Sequence, residues 1–217
     1  MPGAQDLLYA GIVERVGAAS GNRAVELTFN HILSKVKFSF VNNYNATSAT
    51  IRVKDIKITN AYKTANATLT SAGAAWSEHT SVNGFEIAFG NATDDQSTGD
   101  KENDVNVSYG HNKTYESYFE RFVIPAAAPT GDWNITFTVD LLVSGQLIKT
   151  YNHTAKLDTT FEPGKAYDIT AAITAANIDP TTSQEPIEFT ANMNDWDTTV
   201  NDEADVVDPN SPQQGNN

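Results

Sequence analysis

Trp133-Asn134-Ile135-Thr136-Phe137-Thr138-Val139-Asp140-Leu141-Leu142-Val143 runs into Ser144-Gly145-Gln146 and then into Leu147-Ile148-Lys149-Thr150-Tyr151. Trp133, Ile135, Phe137, Val139, Leu141 and Val143 recur at every second position, with Asn134, Thr136, Thr138 and Asp140 between them. Successive side chains of a strand point to opposite faces, so this period describes a long strand with one buried and one wet face. Ser144-Gly145-Gln146 supplies a reversal, and the apolar return makes 133–151 a β-hairpin.

The same alternation extends outward from that hairpin. Val25, Leu27 and Phe29 alternate with Glu26 and Thr28, and Val36, Phe38 and Phe40 with Lys37 and Ser39. Ile51 and Val53 are followed by Ile56 and Ile58 one residue out of phase, so a β-bulge is predicted at Lys54-Asp55. Phe85, Ile87 and Phe89 form a short run. Tyr118, Phe119, Phe122, Val123 and Ile124 are apolar on both parities, as in a strand buried on two faces. Tyr167, Ile169, Ala171 and Ile173 give another strand, and Ile187, Phe189 and Ala191 a last one before Asn194-Asp195-Trp196. No segment sustains a 3.6-residue stripe, and Asn30-His31-Ile32-Leu33-Ser34 is the one helical candidate. The pattern predicts an all-β fold, an antiparallel sandwich of about seven to nine strands with Greek-key order as the usual outcome.

Composition narrows the function. The chain of 217 residues carries 27 acidic and 14 basic side chains, a net charge of −13, with 25 Thr and 21 Asn. Polarity without charge suits exposed strand faces and tight turns. The acidic balance argues against nucleic acid as a partner and against docking on an anionic membrane. No apolar run is long enough for a transmembrane segment. Cysteine is absent, which removes disulfides, thiolate metal sites and thiol nucleophiles.

Residues 179–217 hold nine acids and no Lys or Arg, so they carry −9 of the −13. Residues 201–217 lack apolar periodicity and read as a disordered acidic tail. Met1 to Ala10 has neither the basic start nor the apolar core of an export signal. The chain is therefore read as a piece of a longer protein, with 1–24 a stub or linker, 25–200 the sandwich and 201–217 the tail. Residues 64–83 around Trp76, and 91–106 with five acids and one Lys, read as surface loops. The acidic loop could offer calcium its carboxylates, but its spacing lacks the Asp-x-Asp-x-Asp-Gly pattern, and a solvated loop is the default.

Chemistry-bearing motifs are missing. His31, His79, His111 and His153 include no pair at i, i+4, so no metal site is expected, and His31 is read as a structural histidine bonding a backbone group. Gly-x-Ser-x-Gly, Gly-x-Gly-x-x-Gly and the phosphate-loop pattern are absent, so neither a serine nucleophile nor a nucleotide cofactor is expected. Paired carboxylates of a glycoside hydrolase are open on spacing alone, yet the acids cluster in loops and tail, where burial could not raise a pKa. Asn-x-Ser/Thr occurs at Asn45, Asn66, Asn91, Asn106, Asn112, Asn134 and Asn152, two of them in predicted strands. Trp133 is read as core, Trp196 as closing the end of the sandwich. Trp76 is a candidate glycan contact, set against a ring packed down on the sheet.

Four stretches together carry a resemblance. Asp6-Leu7-Leu8-Tyr9-Ala10 is followed by Val25-Glu26-Leu27-Thr28-Phe29-Asn30-His31-Ile32-Leu33-Ser34-Lys35-Val36. Phe161-Glu162-Pro163-Gly164-Lys165-Ala166-Tyr167-Asp168-Ile169-Thr170 comes later, and Ile187 with Asp195-Trp196 near the end. Their order over roughly residues 6–197 resembles the fimbrillin-like (Mfa-like, type V pilin) family of Bacteroidetes surface proteins. That resemblance implies exported lipoproteins with two transthyretin-like β-sandwich domains, acting as stalk, anchor or tip subunits of fimbriae or as adhesins. It places Asp6–Ala10 near the end of a first domain and this chain in the second. It implies a cell-surface location through a lipid anchor outside this chain, other fimbrial subunits as partners, and a host or bacterial surface protein or glycan as a further partner. Pilins of the family join when a neighbour's terminal strand fills a vacated groove, and such a strand needs apolar residues at period two. Ile187, Phe189, Ala191 and Met193 are the candidate donor strand, the plain alternative being that they complete this domain's own sheet. The resulting expectation is a fimbrial subunit or adhesin component without catalysis, with a carbohydrate-binding module and a glycoside hydrolase as the alternatives.

Overall fold

A computed structural model of the chain describes residues 2–11, 27–44, 49–70, 73–93, 110–126, 133–178 and 185–196. The expected strand at 133–143 and its return are present and dominate one sheet. In chain order the elements are β1 (Leu8–Ala10), β2 (Phe29–His31), β3 (Ser34–Asn42), β4 (Ala49–Thr59), β5 (Tyr62–Thr70), β6 (Gly73–Ser81), β7 (Glu86–Gly90), β8 (Ala92–Thr93), β9 (Thr114–Ser117), β10 (Arg121–Val123), β11 (Asn134–Val143), β12 (Gln146–Lys156), β13 (Lys165–Ile173), the one-turn helix α1 (Ala175–Ile178) and β14 (Phe189–Asp195). The fold is an all-β sandwich. Its strands outnumber those expected because exposed pairs and broken strands leave little alternation to read.

The first layer is four strands in the order β12-β11-β4-β7, all antiparallel. Ser144 and Gly145 link β11 to β12, both with positive φ (49° and 79°), the turn whose twist matches the hairpin's strands. The bulge lies where it was expected. Asp55 adopts φ 54°, and the register of β4 against β11 slips between Thr136 and Thr138, so Ile51, Val53, Ile56 and Ile58 all reach the core. The Asn91 amide oxygen accepts the Asp55 N–H at 3.1 Å and steadies the bulge.

The second layer runs β14-β13-β3-β9-β8, with β10 also on β3. Its centre departs from a purely antiparallel reading: β3 and β13 pair parallel from Ala166↔Lys35 to Ile173↔Asn42. The free side of β3 is shared, with Ser34–Val36 meeting β10 and Ser39–Val41 meeting β9. At the break, the Phe38 N–H donates to Ser117 Oγ (3.1 Å), whose hydroxyl donates on to the Phe119 carbonyl (3.0 Å), so a side chain fills the gap in the ladder. Of the single strand expected over 118–124 only Arg121–Val123 is strand; Tyr118 to Glu120 bend between it and β9.

Between the layers lies one apolar core. Phe38, Phe40, Phe89, Trp133, Ile135 and Phe161 are among its fully buried members, and Phe38 meets Phe89 edge-on at 4.7 Å. Each such side chain contributes roughly 1.5–3 kcal/mol relative to exposure.

Three further readings are corrected. Asn30–Ser34 is not helical: it ends β2, bends and enters β3. Leu27 and Phe29 do not face a core: Leu27, ahead of β2, and Phe29, its first residue, stand 49% and 45% exposed. Residues 64–70 and 73–81 are not loop: they lie in β5 and β6, which pair antiparallel with polar residues on both faces. Most of the acidic segment 91–106, and all of 201–217, lie outside the described residues.

Candidate functional site

The stretches that carry the family resemblance are far apart in sequence, and the fold brings residues 6–10, 31–35, 162–165 and 195–196 to one end of the second layer, while Ile187 lies beyond the opposite end of β14. β1 pairs with β2, Leu8 opposite His31 and Ala10 opposite Phe29. Asp6, just before β1, receives the Leu7 N–H on one oxygen (2.7 Å) and meets His31 Nδ1 with the other (2.6 Å). The partner of His31 is thus a carboxylate, not the backbone group expected, because Asp6 enters on the neighbouring strand. The Ile32 N–H donates to the Leu7 carbonyl at 3.1 Å and continues the pairing.

Trp196 closes this end, as its position predicted. Its indole stacks on the His31 ring at 3.7 Å and 7° and on Phe122 at 5.2 Å and 12°, with Lys35 Nζ 5.4 Å from its centroid. The third stretch binds both neighbours. Gly164 donates its N–H to the Leu33 carbonyl (2.9 Å) and accepts the Trp196 N–H (3.2 Å), while Ser34 Oγ donates to the Glu162 carbonyl (2.8 Å). Gly164 sits at φ +68°, and a Cβ there would lie 3.0 Å from the His31 carbonyl oxygen, so glycine is required twice over. Lys165 pairs with Asp195 across the β13–β14 edge, which raises the lysine pKa and lowers that of the aspartate through their hydrogen bond. Phe122 N–H also donates to the Gly3 carbonyl at 2.8 Å, so residues 3–10 lie against the domain.

Chemically this is a clasp. His31 has one nitrogen on Asp6 and one face on Trp196, and the nearby Ser34 hydroxyl is spent on a carbonyl. No group of three His, Asp or Glu side chains close enough to hold a metal occurs among the described residues. The groove lined by Lys35, Lys37, Glu120, Tyr167, Asp168 and Asn194 encloses about 180 Å³, small against ligand pockets of roughly 300–1,000 Å³. Its charges are matched: Lys37 lies 2.6 Å from Glu116 and 3.6 Å from Asp168, and Lys35 3.2 Å from Glu120. Burial works against the Lys37 charge, but the Glu116 hydrogen bond and Asp168 leave its pKa above the ordinary value.

The candidate donor residues lie in the domain's own sheet. β14 runs antiparallel to β13, Met193 opposite Tyr167 and Ala191 opposite Ile169. Ile187 is buried and Phe189 half-buried against Phe38, Phe40 and Phe137, whereas Ala191 and Met193 are exposed. Trp76 is half-buried on β6, and its indole N–H donates to the Ile32 carbonyl at 2.9 Å. Sequence reasoning missed the Asp6–His31 pair, which has no periodic signal. It also placed Asp140 on a wet face; Asp140 is 1% exposed, covered by Lys54 at 2.7 Å and the Thr150 hydroxyl at 2.7 Å.

The family model that matches is described as fimbrillin-like and spans residues 2–196. Among solved structures, a fimbrial protein from Bacteroides vulgatus is similar with TM-score 0.52 and 14% identity, over 79% of this chain and 56% of that one. A protein from Bacteroides uniformis described as a candidate cell adhesion protein gives TM-score 0.44 and 19% identity, over 80% of this chain and 54% of that one. The chain thus spans about half the length of these structures. No curated protein matches it.

Proposed function

The chain belongs to the fimbrillin-like family, and from that premise we propose that it is a structural subunit of a fimbrium or a cell-surface adhesin component. Its work is mechanical: it transmits load and joins other subunits, and no catalysis is assigned to it. The observation that carries this reading is the family match over residues 2–196; Asp6, His31, Gly164 and Trp196 of its motif stretches meet in a clasp that ties β1 and β2 to the end of β14. The likeness to the Bacteroides vulgatus fimbrial protein supports the fold. A location at the cell surface, through a lipid anchor outside this chain, is part of the proposal. Among the described residues no helix is long and apolar enough to cross a membrane.

Subunits of this design join by strand exchange, and β14 is the strand proposed to move. It is an edge strand tied down at its ends, by Ile187 and Phe189 at one and Trp196 at the other, with Ala191 to Asn194 exposed between. Two measurements test the proposal. The full-length precursor is expected at the cell surface and in fibres or at a fibre base; its absence from all of these would end the fimbrial reading. The double variant Lys165→Cys/Asp195→Cys, placed in a chain with no other cysteine, locks β14 to β13 when oxidised. Loss of incorporation that reduction restores is expected, whereas normal incorporation of the locked form rules out donation of β14.

A further inference from the structure

β12 is the edge of the first layer and pairs with β11 alone among the described residues. The aim of its backbone groups follows from one bond. The Leu157 N–H donates to the Trp133 carbonyl at 3.0 Å, and along an antiparallel ladder such bonded pairs alternate with unbonded ones. Lys149, Tyr151, His153 and Ala155 therefore turn their N–H and C=O groups toward β11, while those of Thr150, Asn152, Thr154 and Lys156 face away from the sheet. A row of this kind is a template for another strand unless Pro, a bulge or an inward-pointing charge blunts it. β12 is blunted chiefly at one end, where the register slips beside Ile148 and Lys149 occupies an inward-parity position; at the other end the exposed Lys156 is its one edge charge. From Thr150 to Lys156 it holds no Pro, no register slip and no acid. Next to that stretch Leu147 and Ile148 stand 56% and 52% exposed.

We propose that β12 is a self-association edge, on which the β12 strand of a second copy adds antiparallel about a two-fold axis at Asn152. The strand's own sequence selects this occupant. About that axis Thr150 faces the partner's Thr154, Lys149 the partner's Ala155 and Lys156 the partner's Ile148. No two like charges meet, and threonine pairs are favourable across a ladder. The outward groups of Thr150, Asn152 and Thr154 exchange bonds with those of the partner's Thr154, Asn152 and Thr150. The partner's edge covers part of Ile148, and the two four-stranded layers become one continuous sheet. A two-fold contact of this type is closed and pairs two copies side by side, so it is distinct from end-to-end joining by a donated strand.

Asn152 gives a direct test by sedimentation of the full chain over a range of concentrations. The parent is expected to show a monomer–dimer equilibrium. Asn152→Lys and Asn152→Glu each set like charges face to face on the axis and should weaken dimerisation about tenfold or more, while an equimolar mixture of the two should dimerise again. Asn152→Pro removes an N–H that the fold does not use and should abolish the dimer, with thermal unfolding confirming that each variant is folded. A parent that stays monomeric at its highest soluble concentration overturns the proposal. So do Lys and Pro variants that dimerise like the parent, or a Lys/Glu mixture that stays monomeric while the parent dimerises.

Discussion

Gly164 joins three of the family stretches through two backbone bonds and one close approach. Replacing it with alanine forces a Cβ into the left-handed region and against the His31 carbonyl. Gly164→Ala should cost about 1–2 kcal/mol from the backbone conformation alone, measured as a lower urea midpoint with an unchanged slope. His153 is a second residue with a predictable cost. Burial pushes its pKa down to about 4 from the ordinary 6.5, and its ring stacks on Phe137 at 5.2 Å. The unfolded chain takes up a proton below about pH 6.5 that the folded chain refuses until about pH 4. Stability is therefore expected to fall as pH drops through that window, by no more than about 1.4 kcal/mol per pH unit, and then to level off with respect to this group. In His153→Phe the same series of urea unfolding curves should slope less; an identical slope would show that His153 does not set it.

Among elements, the β11–β12 hairpin was the most legible because every level of its sequence agrees: strict period two, a Gly in the turn and an apolar return. Its one suboptimal residue is Ser144, held at φ 49°. Asn accepts that region better than Ser at this turn position, so Ser144→Asn should raise stability by about 0.5 kcal/mol, read as a higher thermal midpoint. The bulge at Asp55 was legible for a related reason, since a one-residue slip flips every later side chain to the other face unless it is absorbed. The β5–β6 pair was not legible, because it exposes both faces and so shows no alternation. The parallel β3–β13 pair could not be read either: each strand announces its buried face, but neither announces its neighbour. The clasp lay in plain sight as motifs whose roles were hidden, since Asp6 and His31 are 25 residues apart and Trp196 reaches them only through the sheet.

At the scale of the whole molecule the two layers differ in how locally they can form. The first contains a hairpin closed by two residues, Ser144 and Gly145, whereas the second is centred on β3, whose partners β13 and β9/β10 lie far along the chain. Non-local pairing delays reward until long loops close, so a sandwich of this kind folds in roughly milliseconds to seconds. The hairpin supplies the local structure from which that search can start, and the clasp, which needs residues 6, 31, 164 and 196 together, can form only late. Two substitutions separate these stages. Ser144→Asn should speed refolding and barely change unfolding, because its turn is made in the transition state. Gly164→Ala should leave refolding nearly unchanged and speed unfolding, because its contacts are made afterward. Stopped-flow refolding and unfolding of the two variants decides the order. If Gly164→Ala slows refolding while Ser144→Asn leaves it unchanged, the clasp forms first, and the two ends of the domain are joined before the first layer is complete.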